Sequence, residues 1–174
     1  MPLVISEYRE RKILKRFRVT PVSPAKLLAV EFVIYMIYCV VSILTLFFAA
    51  VWFWKIEVHG SFLLFLGSWF LTMISTLSVG LLVGGIAKSM KSASMIASIL
   101  YFPMLIFSGA TLPFEVMPSA MQKMMSAAPF TQGIQLMKAT FLGLPVENGL
   151  FPVIVMCLLT IICFGISVTC FKWE

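Results

Sequence analysis

Few groups in this 174-residue chain have types and surroundings suited to chemistry. Glu31 stands about a turn inside a long apolar run, and an ionisable side chain in such a run is by default an exchange or relay candidate. It is also close to Lys26 and the arginines before it, so pairing there or snorkelling to the interface is the favoured reading. His59, the only histidine, has no second ligand near it and reads as a solvated turn residue. Cys39, Cys157, Cys163 and Cys170 show no CxxC spacing and read as apolar packing. Gly84 to Ser89 has a phosphate-loop flavour, but no glycine precedes Lys88 and no strand leads in, which excludes nucleotide binding there. No Ser/His/Asp set or carboxylate pair is present, and nothing points to catalysis, a metal or a cofactor held by this chain.

The elements that carry these residues are hydrophobic helices. The chain is 61% hydrophobic and 11% charged, too little polar surface for a water-soluble domain of this length. Residues 32–54, 61–87, 92–114 and 148–171 contain no Asp, Glu, Lys or Arg. Roughly 20 helical residues cross a bilayer core, and only helices satisfy their own backbone there without alternating polarity. The expected fold is an all-α membrane protein with four transmembrane helices at about 26–54, 61–87, 92–109 and 148–171, forming one transmembrane domain over 1–174.

Basic residues set the expected orientation. Arg9, Arg11, Lys12, Lys15, Arg16, Arg18 and Lys26 precede the first span, Lys88 and Lys91 lie between the second and third, and Lys172 follows the fourth. Lys55, Lys123 and Lys138 are left for the other side, so both termini are expected in the cytoplasm. The net charge of +6 then reflects topology and contact with anionic membrane lipid, and no nucleic acid is expected. Trp52 and Trp54 suit the outer interface and Trp173 the inner one.

Residues 4–19 read as a short amphipathic helix with Tyr8, Ile13, Leu14 and Phe17 on one face and Glu7 placed to pair with Arg11. Thr20-Pro21 ends it. Gly80, Gly84 and Gly85 invite close helix packing, and Pro103 sits inside the third span. Residues 110–147 are neither a span nor an ordinary loop. Their uncharged stretch, 124–137, is too short and too polar to cross, which predicts re-entrant or interfacial helices.

Two separated blocks resemble the permease subunit of ABC-2 type transporters. Glu10 to Ser23, with Glu10, Arg11, Leu14, Phe17, Thr20 and Pro21, is similar to the family's cytoplasmic coupling helix, E-x-G-T-L-x-x-L-x-x-T-P-x-S. Lys12-Ile13 replace its Gly-Thr pair, which predicts a continuous helix. Phe102-Pro103 through Ser108-Gly109, then Pro113, Glu115 and Pro118, resemble the fifth span and the turn into extracellular re-entrant helices. Pro129-Phe130-Thr131 and Gly143 match the weaker pattern before the final span.

The resemblance implies a permease domain with residues 4–24 as the coupling region, seated on a cytoplasmic ABC ATPase that holds ATP and magnesium. It also implies a second permease chain, identical or different, and re-entrant residues closing the outer end. A hydrophobic or amphipathic compound such as a drug, antibiotic or lipid is the expected cargo, exported across a bacterial inner membrane. Family members usually have six spans, so the chain looks like the carboxy-terminal two-thirds of a permease. Two other classes remain open: a small proton-coupled exporter using Glu31, and a non-transporting assembly or regulatory subunit.

Overall fold

The computed structural model describes residues 1–13, 24–55, 60–106, 108, 118, 128–144 and 150–170. All regular structure among them is helical: α1 Pro2–Glu10, α2 Pro24–Trp54, α3 Phe62–Ile86, α4 Met90–Ile106, α5 Pro129–Leu142 and α6 Leu150–Cys170. Three of these, α2, α3 and α6, are long and apolar enough to cross a membrane. α4 has 17 residues, about 26 Å at 1.5 Å per residue, against a hydrocarbon core of roughly 30 Å. It runs through Pro103 to Ile106 and is too short to count with α2, α3 and α6, so the described residues supply three of the four expected spans.

α3 is the centre of the bundle. It packs most extensively on α6, then on α5, and touches α1, α2 and α4 as well. Several of its hydroxyls are satisfied within the helix, whereas the buried Ser75 Oγ has no hydrogen-bond partner among the described residues. Thr72, Thr76 and Ser78 each donate to the carbonyl four residues back, at 2.7, 2.8 and 2.8 Å. Ser167 of α6 instead crosses to the Leu81 carbonyl at 2.9 Å. A Cβ on Gly85 would lie 3.0 Å from the Ser167 hydroxyl, so the missing side chain sets that approach.

α2 is peripheral. No residue in its most apolar stretch is buried against the rest of the chain. Val30, Val33, Ile37, Val41, Leu44, Phe48 and Val51 form an exposed stripe at helical spacing. Such a surface is stable in hydrocarbon or against another apolar helix, and not in water.

α5 does not cross. Its 14 residues measure about 21 Å, and they lie antiparallel along the first half of α3. Phe141 stacks edge-on with Phe65 at 5.5 Å, and Thr140 meets Ser68 at 3.1 Å. Gly133 abuts Thr72, where any Cβ would overlap the threonine side chain. The helix stops at Gly143, whose φ of 70° is the left-handed cap that glycine adopts without strain. α5 falls within the 110–147 stretch where short helices are expected, and it runs past the uncharged window because Lys138 lies inside it on an exposed position.

One expectation fails plainly. A continuous helix through Lys12-Ile13 is expected, but α1 ends at Glu10, and residues 14–19 lie outside the described residues. The Lys12 amide turns back to the Arg9 carbonyl at 3.0 Å, and Lys12 itself has φ 57°. A left-handed non-glycine residue costs about 1–2 kcal/mol, and the contacts made by Arg9 and Glu10 account for it.

Candidate coupling end and intramembrane groove

The end of the bundle where α3 stops and α4 starts is covered by α1. Ile5 of α1, Leu28 of α2 and Leu81 of α3 are fully buried against one another, with Met1, Tyr8, Leu27, Phe32 and Val168 packed around them. Gly84 makes the fit possible: a Cβ there would lie 3.3 Å from the Pro2 Cα and the Ile5 Cβ.

Polar contacts then fasten the end of α1 in two directions. Arg9, only 7% exposed, donates to the Ala87 carbonyl and, at 3.1 Å, to the Gly85 carbonyl. These carbonyls belong to the last turn of α3 and its cap, where intrahelical donors run out and the helix dipole is negative. Burial pulls the Arg9 guanidinium below its ordinary value, yet a guanidinium remains charged at any physiological pH. Glu10, the next residue, accepts the Met90 amide at 3.0 Å, at the positive start of α4. Ser89 and Ser92 cap that start reciprocally, with amide-to-hydroxyl bonds of 3.1 and 3.2 Å.

Glu31 lies under the same cover. It is 7% exposed and accepts a hydrogen bond from Tyr8 of α1. Its side chain is covered by α1 instead of reaching open water, and it lies at the α1 end of the bundle near the chain's amino terminus. Arg11 pairs with Glu7 at 2.8 Å as the spacing predicts, on the exposed side of α1.

A second feature lies between α2, α3 and α5. It is an open groove of about 490 Å³ lined by Tyr35, Tyr38, Cys39, Ser42, Ile43 and Leu46 of α2, by Trp69, Thr72, Met73, Thr76 and Leu77 of α3, and by Phe130 and Met137 of α5. It holds four aromatic rings, hydroxyls and no formal charge. Such walls suit an uncharged, largely apolar molecule with a few hydrogen-bonding groups.

The ABC-2 type transporter family model matches residues 1–142, from α1 through α5. The chain belongs to the ABC-2 type transporter family. This ABC-2 chain is 27% identical over 132 residues to the inner membrane transport permease YhhJ of Escherichia coli K12, covering 75% of the chain and 35% of that relative. The same values hold for YhhJ of Shigella flexneri. Nodulation protein J of Rhizobium leguminosarum bv. viciae is 29% identical over 97 residues, covering 56% of the chain and 38% of the relative. The ABC-2 chain thus spans about a third of the length of the relatives it matches. No solved structure matches it. The apolar helices are consistent with membership of this membrane-protein family.

Of the residues singled out in the ABC-2 chain, Glu10, Arg11 and Glu31 come together around α1. Pro103 lies inside α4. Ser108 is buried and donates to the Leu105 carbonyl at 3.0 Å. Pro129 opens α5 and is buried, and Pro118 is exposed. Leu14, Phe17, Thr20, Pro21, Gly109, Pro113, Glu115 and His59 lie outside the described residues. Arg9, Tyr8 and the groove were missed. A three-residue turn between two apolar helices signals orphan carbonyls in need of a cation, and that signal points toward an arginine such as Arg9.

Proposed function

We propose that the chain is the membrane-spanning subunit of an ABC exporter in a bacterial inner membrane, working with a separate cytoplasmic ATPase and a second permease chain. The family match across α1–α5 carries this reading. The α1 end of the bundle faces the cytoplasm, where Arg11, Lys12, Lys88 and Lys91 gather. Residues 10–21 meet the ATPase, which binds ATP and magnesium, and nucleotide-driven closure shifts the helices between two arrangements. α5 and the residues before it close the outer end.

The cargo is a hydrophobic or amphipathic compound such as a drug, antibiotic or lipid. The apolar, aromatic groove supports this class. A proton-coupled exporter using Glu31 is disfavoured, since that carboxylate sits beneath α1 with Tyr8 and outside the groove.

Co-purification from the native membrane tests the reading. The full chain should capture an ABC ATPase, and Phe17→Asp should abolish capture and transport together. Transport that survives Phe17→Asp but disappears in Glu31→Gln would instead establish the proton-coupled reading.

A further inference from the structure

The contacts at the end of α1 divide between two helices within one residue step. Arg9 ends on carbonyls of α3, and Glu10 ends on an amide of α4. We infer that Arg9 and Glu10 form a two-point latch that makes α1 and the α3–α4 turn move as one unit, so that displacement of α1 is delivered to the start of α4. Only the source of the displacement rests on the ATPase reading above.

Four observations carry the latch. α4 touches α1 more extensively than it touches α3, so its placement depends on α1. Arg9 is buried, and its planar fork spans two carbonyls at once, which fixes direction as well as distance. Gly84 lets Ile5 and the backbone of Pro2 sit directly on α3, which removes slack along the rest of α1. α1 ends at Glu10 and the left-handed Lys12 follows, so the latch lies in the last turn of α1. Arg9 and Glu10 are positioning residues. They act on α4 through the backbone they hold.

Hydrogen–deuterium exchange of the full chain in lipid nanodiscs tests this without any ATPase. Arg9→Gln and Glu10→Ala should each speed exchange of the Met90–Ala93 amides by about tenfold, the scale of one lost charged hydrogen bond. Arg9→Lys should restore part of the protection, and the middle of α6 should be unchanged in all three. A change under twofold at Met90–Ala93, or an equal rise in α6, overturns the latch. A second variant covers a failure to fold. Glu10→Gln, which keeps an acceptor for the Met90 amide, should retain most of the protection at Met90–Ala93, and a loss equal to that of Glu10→Ala overturns the proposal. Failure of the ATPase reading shows separately, as absent capture of an ATPase by the wild-type chain.

Discussion

Gly84 and Ile5 approach so closely that a Cβ on the glycine would stand 2.9 Å from the Ile5 Cδ1. Two helices meet there with no side chain between them on one side, and α1 is seated by that absence. Packing of this kind uses dispersion and shape, since lipid offers little hydrophobic drive between helices.

Gly84→Val should therefore unseat α1 and lower stability by about 1–3 kcal/mol, the usual cost of overpacking. Gly67 has nothing within 4 Å of its would-be Cβ. Gly67→Ala should be neutral or add up to about 1 kcal/mol through helix propensity. Unfolding in mixed detergent micelles measures both, and equal effects at the two sites would contradict the seating.

Gly133→Ala should push α5 off α3, because the new methyl overlaps Thr72. Thr72→Ala in the same chain should recover part of the loss by removing the two outer atoms of that side chain. A double-mutant cycle should give a coupling of about 0.5–3 kcal/mol. Independent, additive effects would mean that the two residues do not touch.

Ser167→Ala removes the bond to the Leu81 carbonyl and should cost about 0.6 kcal/mol, at most about 1.7. Glu7→Gln breaks an ion pair whose arginine is 69% exposed, and should change stability by less than about 0.5 kcal/mol. A larger loss from Glu7→Gln than from Ser167→Ala would reverse this ranking.

Thr76→Trp should fill the groove from a position that is already exposed, leaving the fold intact. Binding of an apolar fluorescent dye to the purified chain should weaken by about tenfold, equivalent to about 1.4 kcal/mol. Unchanged dye binding would place the cargo elsewhere.

Three of the four expected spans, α2, α3 and α6, were legible because lipid forces apolar runs and helices to coincide. The uncharged run 61–87 became Phe62–Ile86 with a shift of one residue at each end. The end of α1 was not legible in the same way. Local propensity favours continuing the helix past Glu10, and the groups that stop it lie 76 to 80 residues away in sequence. The end of α5 was not legible for a different reason. Charge marks a boundary only where a residue must sit in hydrocarbon, and Lys138 faces outward from a helix that never crosses. The glycines at 84 and 85 were rightly read as packing sites, though their two different partners, α1 and α6, required the fold.

The half-length of α5 has an electrical consequence. Its first turn begins at Pro129, and Phe130 shares the groove with Thr72 to Leu77, near the midpoint of α3. The N-cap Ala128 offers no side-chain acceptor, so the partial positive charge of the first turn stands uncompensated by its cap. Inside a bilayer that charge is poorly screened. If the groove carries cargo as proposed above, this turn disfavours a cation beside it and leaves a neutral molecule little affected.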